Sequence, residues 1–320
     1  MRNLYNKHDY EAIKLIDDML PDKIFDGHMH VSLYPFCEAE CFGIEDYKKD
    51  VKPIFGQRYL RGVLLAAPTP ELKRSLEYST TVNFMEKELN LHKDFLGSLL
   101  VKPNQSYDEI LSFINHPRIK CLKCYHSYAE REDSNNADIH EYLSEATLEV
   151  ANKLSLAVTV HLVKDRALSD PMNMKELQDI SGRYPNAKLV LAHSARAFAA
   201  WTAIDSVSEL IHCENIFFDF SAICESPSII GILKKIGVSR CMWGSDYNVS
   251  MLLGKAISFG DGFYWLCEKD IENIQKRANI RPRHIIIENL MAMREAINIL
   301  ELSNGDIEAL FYNNACMIFE

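Results

Sequence analysis

The sequence predicts an α/β fold, a (β/α)8 TIM barrel, on three observations. Eight short runs rich in Val, Ile, Leu and Phe punctuate the chain: Lys23–His28, Leu60–Ala67, Phe95–Val101, Arg118–Cys124, Leu156–His161, Lys188–His193, Asn215–Phe220 and Val238–Gly244. Longer stretches with apolar residues at helical spacing lie between them. Such alternation builds parallel strands joined by right-handed crossover helices, and eight units close a barrel. No Gly-x-Gly-x-x-Gly follows the first run, so the dinucleotide-binding form of an open doubly wound sheet has no support.

Taken in order, residues 1–22 form an N-terminal helix, with its amphipathic pattern over Asp9–Leu20 and Asp9 as its cap. Residues 31–59 form a long loop over the barrel mouth, carrying Tyr34, Phe36, Phe42, Tyr47 and Phe55; loops at this end of such barrels shape substrate pockets. Helical patterns follow at Glu71–His92, Tyr107–Asn115, Ile139–Leu154, Met174–Tyr184, Ala195–Ile211 and Ser228–Ile236. Ser106 stands as an N-cap before Tyr107-Asp108-Glu109, and Tyr184-Pro185-Asn186 is a turn that ends one helix before the next strand. Two more helical patterns, Arg283–Leu300 and Asp306–Phe319, are divided by a turn at Asn304-Gly305. With no repeat, low-complexity tract or linker, residues 1–320 read as a single domain.

Composition narrows the function. A chain of 320 residues with 48% hydrophobic and 25% charged side chains has the make-up of a folded globule with a large core. A net charge of −10 and the lack of a basic run argue against a nucleic-acid partner. Charged residues interrupt the first twenty positions, and no apolar stretch reaches the ~18 residues that span a bilayer, so a soluble, cytoplasmic protein without a membrane partner is expected. Nine cysteines without secretory context read as reduced thiols. Cys121 and Cys124 face opposite sides of a strand and cannot chelate one ion together, and Cys37 and Cys41 lack a second pair.

Catalytic groups of such barrels sit at the carboxyl ends of the strands. That rule selects His28 and His30 after the first run, Lys123 near the end of the fourth and His161 ending the fifth. It also selects His193 ending the sixth, Asp219 late in the seventh and Asp246 just beyond the eighth. In Ala157-Val158-Thr159-Val160-His161 the face shared with His161 carries Ala157 and Thr159, which points the imidazole into the barrel. A lone His-x-His is a weak signal, but four histidines at strand ends followed by an acid are a stronger one. His8, His92, His116, His140, His212 and His284 read as surface groups, whereas His126 lies just beyond the fourth strand. Asp219 either holds His193 or satisfies buried backbone, and Arg166 and Arg196 read as solvated arginines.

The ordered set of His28-x-His30, His161, His193 and Gly244-Ser245-Asp246-Tyr247 resembles the amidohydrolase superfamily, in its branch that includes aminocarboxymuconate-semialdehyde decarboxylase. The closing Ile307–Ala315 segment resembles that branch's terminal helix. The resemblance implies a metal-dependent hydrolase barrel in which His28, His30, His161 and Asp246 ligate one divalent ion, usually Zn2+, and His193 is the catalytic histidine beside it. Three neutral imidazoles and one carboxylate leave the ion net positive, lowering the pKa of a bound water toward about 7. Asp246 would then accept the proton of that water, and His193 would polarise the scissile carbonyl or steady the oxyanion.

Lys123 is expected to neutralise a substrate carboxylate; were it carbamylated, it would bridge a second metal, and a pocket-lining structural lysine is the third option. The implied activity is hydrolysis of an amide, ester or lactone bond of a small molecule, a carboxylated one if Lys123 has the first of these roles. The alternatives are non-oxidative decarboxylation of a small aromatic or dienoic acid, and a non-catalytic metal-binding barrel. A small-molecule substrate is the expected partner, with homodimer formation open.

Overall fold

A computed structural model describes residues 5–33, 41–67, 78–260 and 262–320. Its main sheet runs β1 (Lys23–Val31), β2 (Tyr59–Ala66), β3 (Phe95–Leu100), β4 (Ile119–Cys124), β5 (Ala157–Val160), β6 (Lys188–Leu191), β7 (Ile216–Asp219) and β8 (Cys241–Met242). Each strand pairs in parallel with the next in sequence order, and a parallel bridge from Met29 to Tyr247 draws the two edges together. Closure is reinforced where Gly27 N donates to Trp243 O at 3.1 Å and Asp246 N to His28 O at 2.7 Å. Glycine is required at this seam: a Cβ on Gly244 would stand 2.7 Å from that of His28. The fold is the (β/α)8 TIM barrel.

Alternation along the strands divides the core. Phe25, Val63, Leu65, Leu96, Cys121, Ala157, Val190, Phe217 and Met242 fill the barrel, plugged by Ala315, Ile318 and Phe319 of the last helix. Phe25 stacks on Phe319 with ring centroids 5.9 Å apart. Val158, Val160, Leu122 and Cys124 pack outward against the helices, so Cys121 and Cys124 do face opposite sides. With the lower barrel plugged by apolar groups, the polar side chains collect at the other end.

Several boundaries differ from the sequence expectations. The 31–59 connection contains a helix, Ile44–Phe55, whose Tyr47 and Phe55 are fully buried. Its Tyr34 and Phe36, like Cys37, lie outside the described residues. The first helix, Lys7–Ile16, is capped by Asn6 rather than Asp9. Asp9 instead accepts from Asn6 N at 2.7 Å and from His284 Nδ1 at 2.7 Å, so His284 is a buried clamp and not a surface group.

Asn304 and Gly305 begin a helix capped by Ser303 instead of forming a turn. Residues 195–211 break into a left-handed turn, a short helix Ala200–Ile204 and a 3-10 turn Val207–Leu210. A hairpin of β9 (Lys255–Phe259) and β10 (Gly262–Leu266), carrying no alternation strong enough to announce it, follows β8.

Among the described residues no helix is long and apolar enough to cross a membrane.

Candidate metal centre and active site

β1 carries a register shift between Asp26 and Met29 and then delivers His28 and His30 to the mouth with ring centroids 5.1 Å apart. Both Nε2 atoms face one oxygen: Asp246 Oδ1 lies 3.6 Å from that of His28 and 3.4 Å from that of His30. His28, His30 and Asp246 thus form a buried group whose ligand atoms lie within 4.8 Å of one another.

The opposite ring nitrogens set the tautomers. His30 Nδ1 donates to Leu65 O at 3.3 Å, and His28 Nδ1 to Asp219 Oδ2 at 2.8 Å. A carbonyl and a carboxylate can only accept, so each Nδ1 holds the proton and each Nε2 keeps a lone pair for an ion. The donor set of two imidazoles and a carboxylate fits a divalent metal of the zinc or manganese type.

Burial pushes the imidazolium of His28 down to about 4, with Asp219 opposing the shift, so the ring is neutral and able to ligate. Asp246 is raised by burial, yet His193, His30 and His28 around it hold it below the usual carboxylate range.

His193 follows β6 on a turn in which four consecutive non-glycine residues, His193 to Arg196, have φ between 47° and 62°. Each left-handed residue costs roughly 1–2 kcal/mol, so the turn needs external anchoring. Asp219 supplies it: its Oδ1 accepts from His193 N at 3.3 Å, and its carbonyl accepts from Ser194 Oγ at 2.8 Å. His193 Nδ1 donates to Ser221 O at 3.0 Å, leaving Nε2 with its lone pair, and the ring stacks 5.0 Å from that of His28.

His161, just beyond β5, lies on the other side of His193, with ring centroids 5.4 Å apart. Its Nδ1 is buried without a hydrogen-bond partner among the described residues, and burial together with His193 and Lys123 drives its pKa well below the ordinary value. It does not join the close group formed by the other three expected ligands. His126 stacks on its outer face at 5.6 Å and donates from Nδ1 to Ser134 O at 3.1 Å, or accepts there from Ser134 Oγ at 3.2 Å.

Lys123, on the inward face of β4, is fully buried. Its Nζ has no hydrogen-bond partner among the described residues and sits 4.7 Å from the Tyr125 ring centroid. Burial lowers its pKa, against the pull of Cys124 and the Asp219 and Asp246 carboxylates.

Two acids carry more than the sequence suggested. Asp219 both fixes His28 and anchors the left-handed turn; burial opposes its ionisation, but His28, His193 and Ser221 hold it well below the usual range. Asp26 accepts from His28 N at 3.0 Å and Ser245 N at 2.8 Å, tying both ends of the seam together, and burial raises it to about 7. The sequence signal for each was an acid inside an otherwise apolar strand. Arg196, expected in solvent, is part-buried in the mouth.

The amidohydrolase family model matches residues 70–319. The chain belongs to the amidohydrolase family. Among solved structures, this amidohydrolase is similar to a zinc-bound amidohydrolase from Burkholderia multivorans, at 12% identity over 93% of this chain and 99% of that one, with a TM-score of 0.60. It is also similar to 5-carboxyvanillate decarboxylase from Sphingomonas paucimobilis, at 12% identity over 93% and 99% of the two chains, with a TM-score of 0.58. These likenesses show the fold. A curated relative, L-fucono-1,5-lactonase from Burkholderia ambifaria, is 28% identical over 148 residues, which are 40% of this chain and 48% of that protein. The chain thus spans about half the length of the curated relative that it matches.

Proposed function

We propose that this amidohydrolase is a metal-dependent hydrolase that opens a lactone, ester or amide bond in a small carboxylated molecule, using an activated water. The observation that carries this reading is the convergence of His28 Nε2 and His30 Nε2 on Asp246 Oδ1, with both Nδ1 protons already committed elsewhere. His28, His30 and Asp246 would hold one ion, zinc in this reading, and His161 is the fourth candidate ligand by virtue of its orphaned Nδ1. Such an ion supplies a Lewis acid that lowers the pKa of water and polarises the scissile carbonyl.

Asp246 is ionised at neutral pH and accepts the proton of the attacking water. His193, whose Nδ1 is engaged by Ser221 O, offers Nε2: it takes over the proton that Asp246 removed from the water and, as imidazolium, steadies the oxyanion and delivers that same proton to the leaving group, which restores Asp246 and His193. Lys123 supplies a cation for the substrate carboxylate from the barrel floor. The lactonase relative supports the lactone as the first bond to test.

Decarboxylation is the second reading, favoured by the same buried cation: a substrate carboxylate drawn toward Lys123 could leave as carbon dioxide. The test is a screen of sugar lactones, aryl esters and carboxylated aromatics with zinc- or manganese-loaded enzyme. Acid release with incorporation of labelled water supports hydrolysis, and carbon dioxide without water incorporation supports the second reading. Purified enzyme that retains no stoichiometric metal would remove both and leave a non-catalytic barrel. Sedimentation of the same sample decides between monomer and homodimer.

A further inference from the structure

The left-handed turn that carries His193 ends on Arg196, whose guanidinium stands at the mouth. It is part-buried, and burial disfavours its charged form. Among the described residues, no hydrogen bond or carboxylate oxygen within 4.0 Å reaches it, although Asp165 lies near enough to favour the charge. None of its nitrogens is among the buried side-chain atoms left without a partner, so the fork is met by water rather than by a carboxylate and is open to an anion. The cation instead lies over the ring of Phe263 on β10, 5.2 Å from its centroid, an arrangement that fixes the plane of the fork.

The hairpin builds the rest of the wall. Phe263 and Trp265 each pack 4.9 Å from Phe198, and Phe198 lies 5.4 Å from the ring of His193. Between hairpin and turn is a cavity of about 830 Å3 lined by Asp165, Arg166, Arg196, Phe263, Tyr264 and Trp265. Two arginines against one aspartate leave it net positive, and its aromatic faces are flat.

We propose that this cavity is a subsite for the carboxylate of a small planar acid, with Arg196 as the bidentate anion clamp and Phe263 as its aromatic wall. The proposal rests on the hydrolase reading only in taking the neighbouring His193 site as the place of reaction. A planar guanidinium pairs with a carboxylate through two parallel hydrogen bonds, and the neutral amide isostere cannot replace them.

Calorimetric titration of benzoate and benzamide into the metal-loaded full chain tests it, since any contribution of the metal to benzoate binding is common to wild type and variant. Wild type is expected to prefer benzoate by about tenfold or more, the order of a charge-assisted hydrogen bond. Arg196→Gln should cut that preference by about tenfold, leaving only the share that the metal and Lys123 supply, Arg196→Lys should keep part of the Arg196 share, and Phe263→Ala should weaken both probes alike. Because no carboxylate among the described residues pairs with Arg196, Arg196→Gln should change the unfolding temperature little.

A preference for benzoate as large in Arg196→Gln as in wild type, failure of either probe to bind wild type at millimolar concentration, or benzamide binding unaffected by Phe263→Ala would overturn the proposal. An Arg196-dependent preference without any turnover would sink the hydrolase reading and leave the subsite standing; turnover without the preference would do the reverse.

Discussion

His28 Nδ1 lies 2.8 Å from Asp219 Oδ2, with both side chains buried, and this pairing decides which nitrogen of His28 faces Asp246. A carboxylate at that position forces the proton onto Nδ1 and leaves Nε2 free. Asp219→Asn reverses the logic, because its amide can donate to Nδ1 and let the proton move to the ligating side. Metal affinity should fall by about 10–100-fold, the usual effect of losing such a supporting partner. Competition against a chromophoric chelator measures it, and an unchanged affinity would show that Asp219 serves the left-handed turn alone.

Much of the barrel and its polar end could be read in the sequence because period-two alternation is a local property. Ala157 and Thr159 predict where His161 points, and the Val158 and Val160 side chains do pack outward. What could not be read depends on contacts distant in sequence. The conformation of His193 to Arg196 is imposed by Asp219, 26 residues beyond His193, so a helix there was the natural local expectation. His284 reads as a surface residue until Asp9, 275 positions away, is seen to bind it. Arg196 reads as solvated for the same reason, since the hairpin that covers it has a weak pattern of its own.

His193 should be needed for turnover but not for the ion. Its Nδ1 is engaged by Ser221, and its Nε2 is not in the group formed by His28, His30 and Asp246. On a substrate identified by the screen, His193→Asn should lower kcat by about 10²–10⁴, the range for a lost proton-transfer or oxyanion group. Metal content by atomic absorption should stay at the wild-type level. Full turnover in this variant would remove His193 from the chemistry, and loss of the metal would make it a ligand.

The metal-free enzyme should lose stability as the pH falls from about 6.5 to about 4. Folding depresses the pKa of His28 from 6.5 to about 4, with burial as the main cause. Within that window the unfolded chain binds a proton that the folded chain does not, so stability rises with pH and declines on acidification, by at most about 1.4 kcal/mol per pH unit. Urea midpoints of chelated protein at pH 7 and pH 5 measure the slope. His161, also buried and depressed, adds a slope of the same sign, and Asp26, raised to about 7, one of opposite sign. The comparison therefore decides: His28→Asn should lose less stability than wild type between pH 7 and pH 5, and an equal loss would refute a neutral buried His28 ring.

Lys123→Met separates a cation kept for substrate from one kept for structure. The Nζ is fully buried, lacks a hydrogen-bond partner among the described residues and is opposed first of all by its own desolvation, with Asp219 and Asp246 attracting it only through their charge. Methionine fills nearly the same volume without the charge, so replacing the lysine should be neutral or stabilising by about 1–4 kcal/mol, as when buried ions give way to apolar groups. A rise in the urea midpoint of the metal-free protein, combined with a KM at least about tenfold higher for a carboxylated substrate and little change for its uncharged ester, marks a substrate-binding lysine; a tenfold change is only about 1.4 kcal/mol, within reach of one charged contact. A fall in stability would instead mean that the two carboxylates are energetically paired with Lys123, and its place would then be structural.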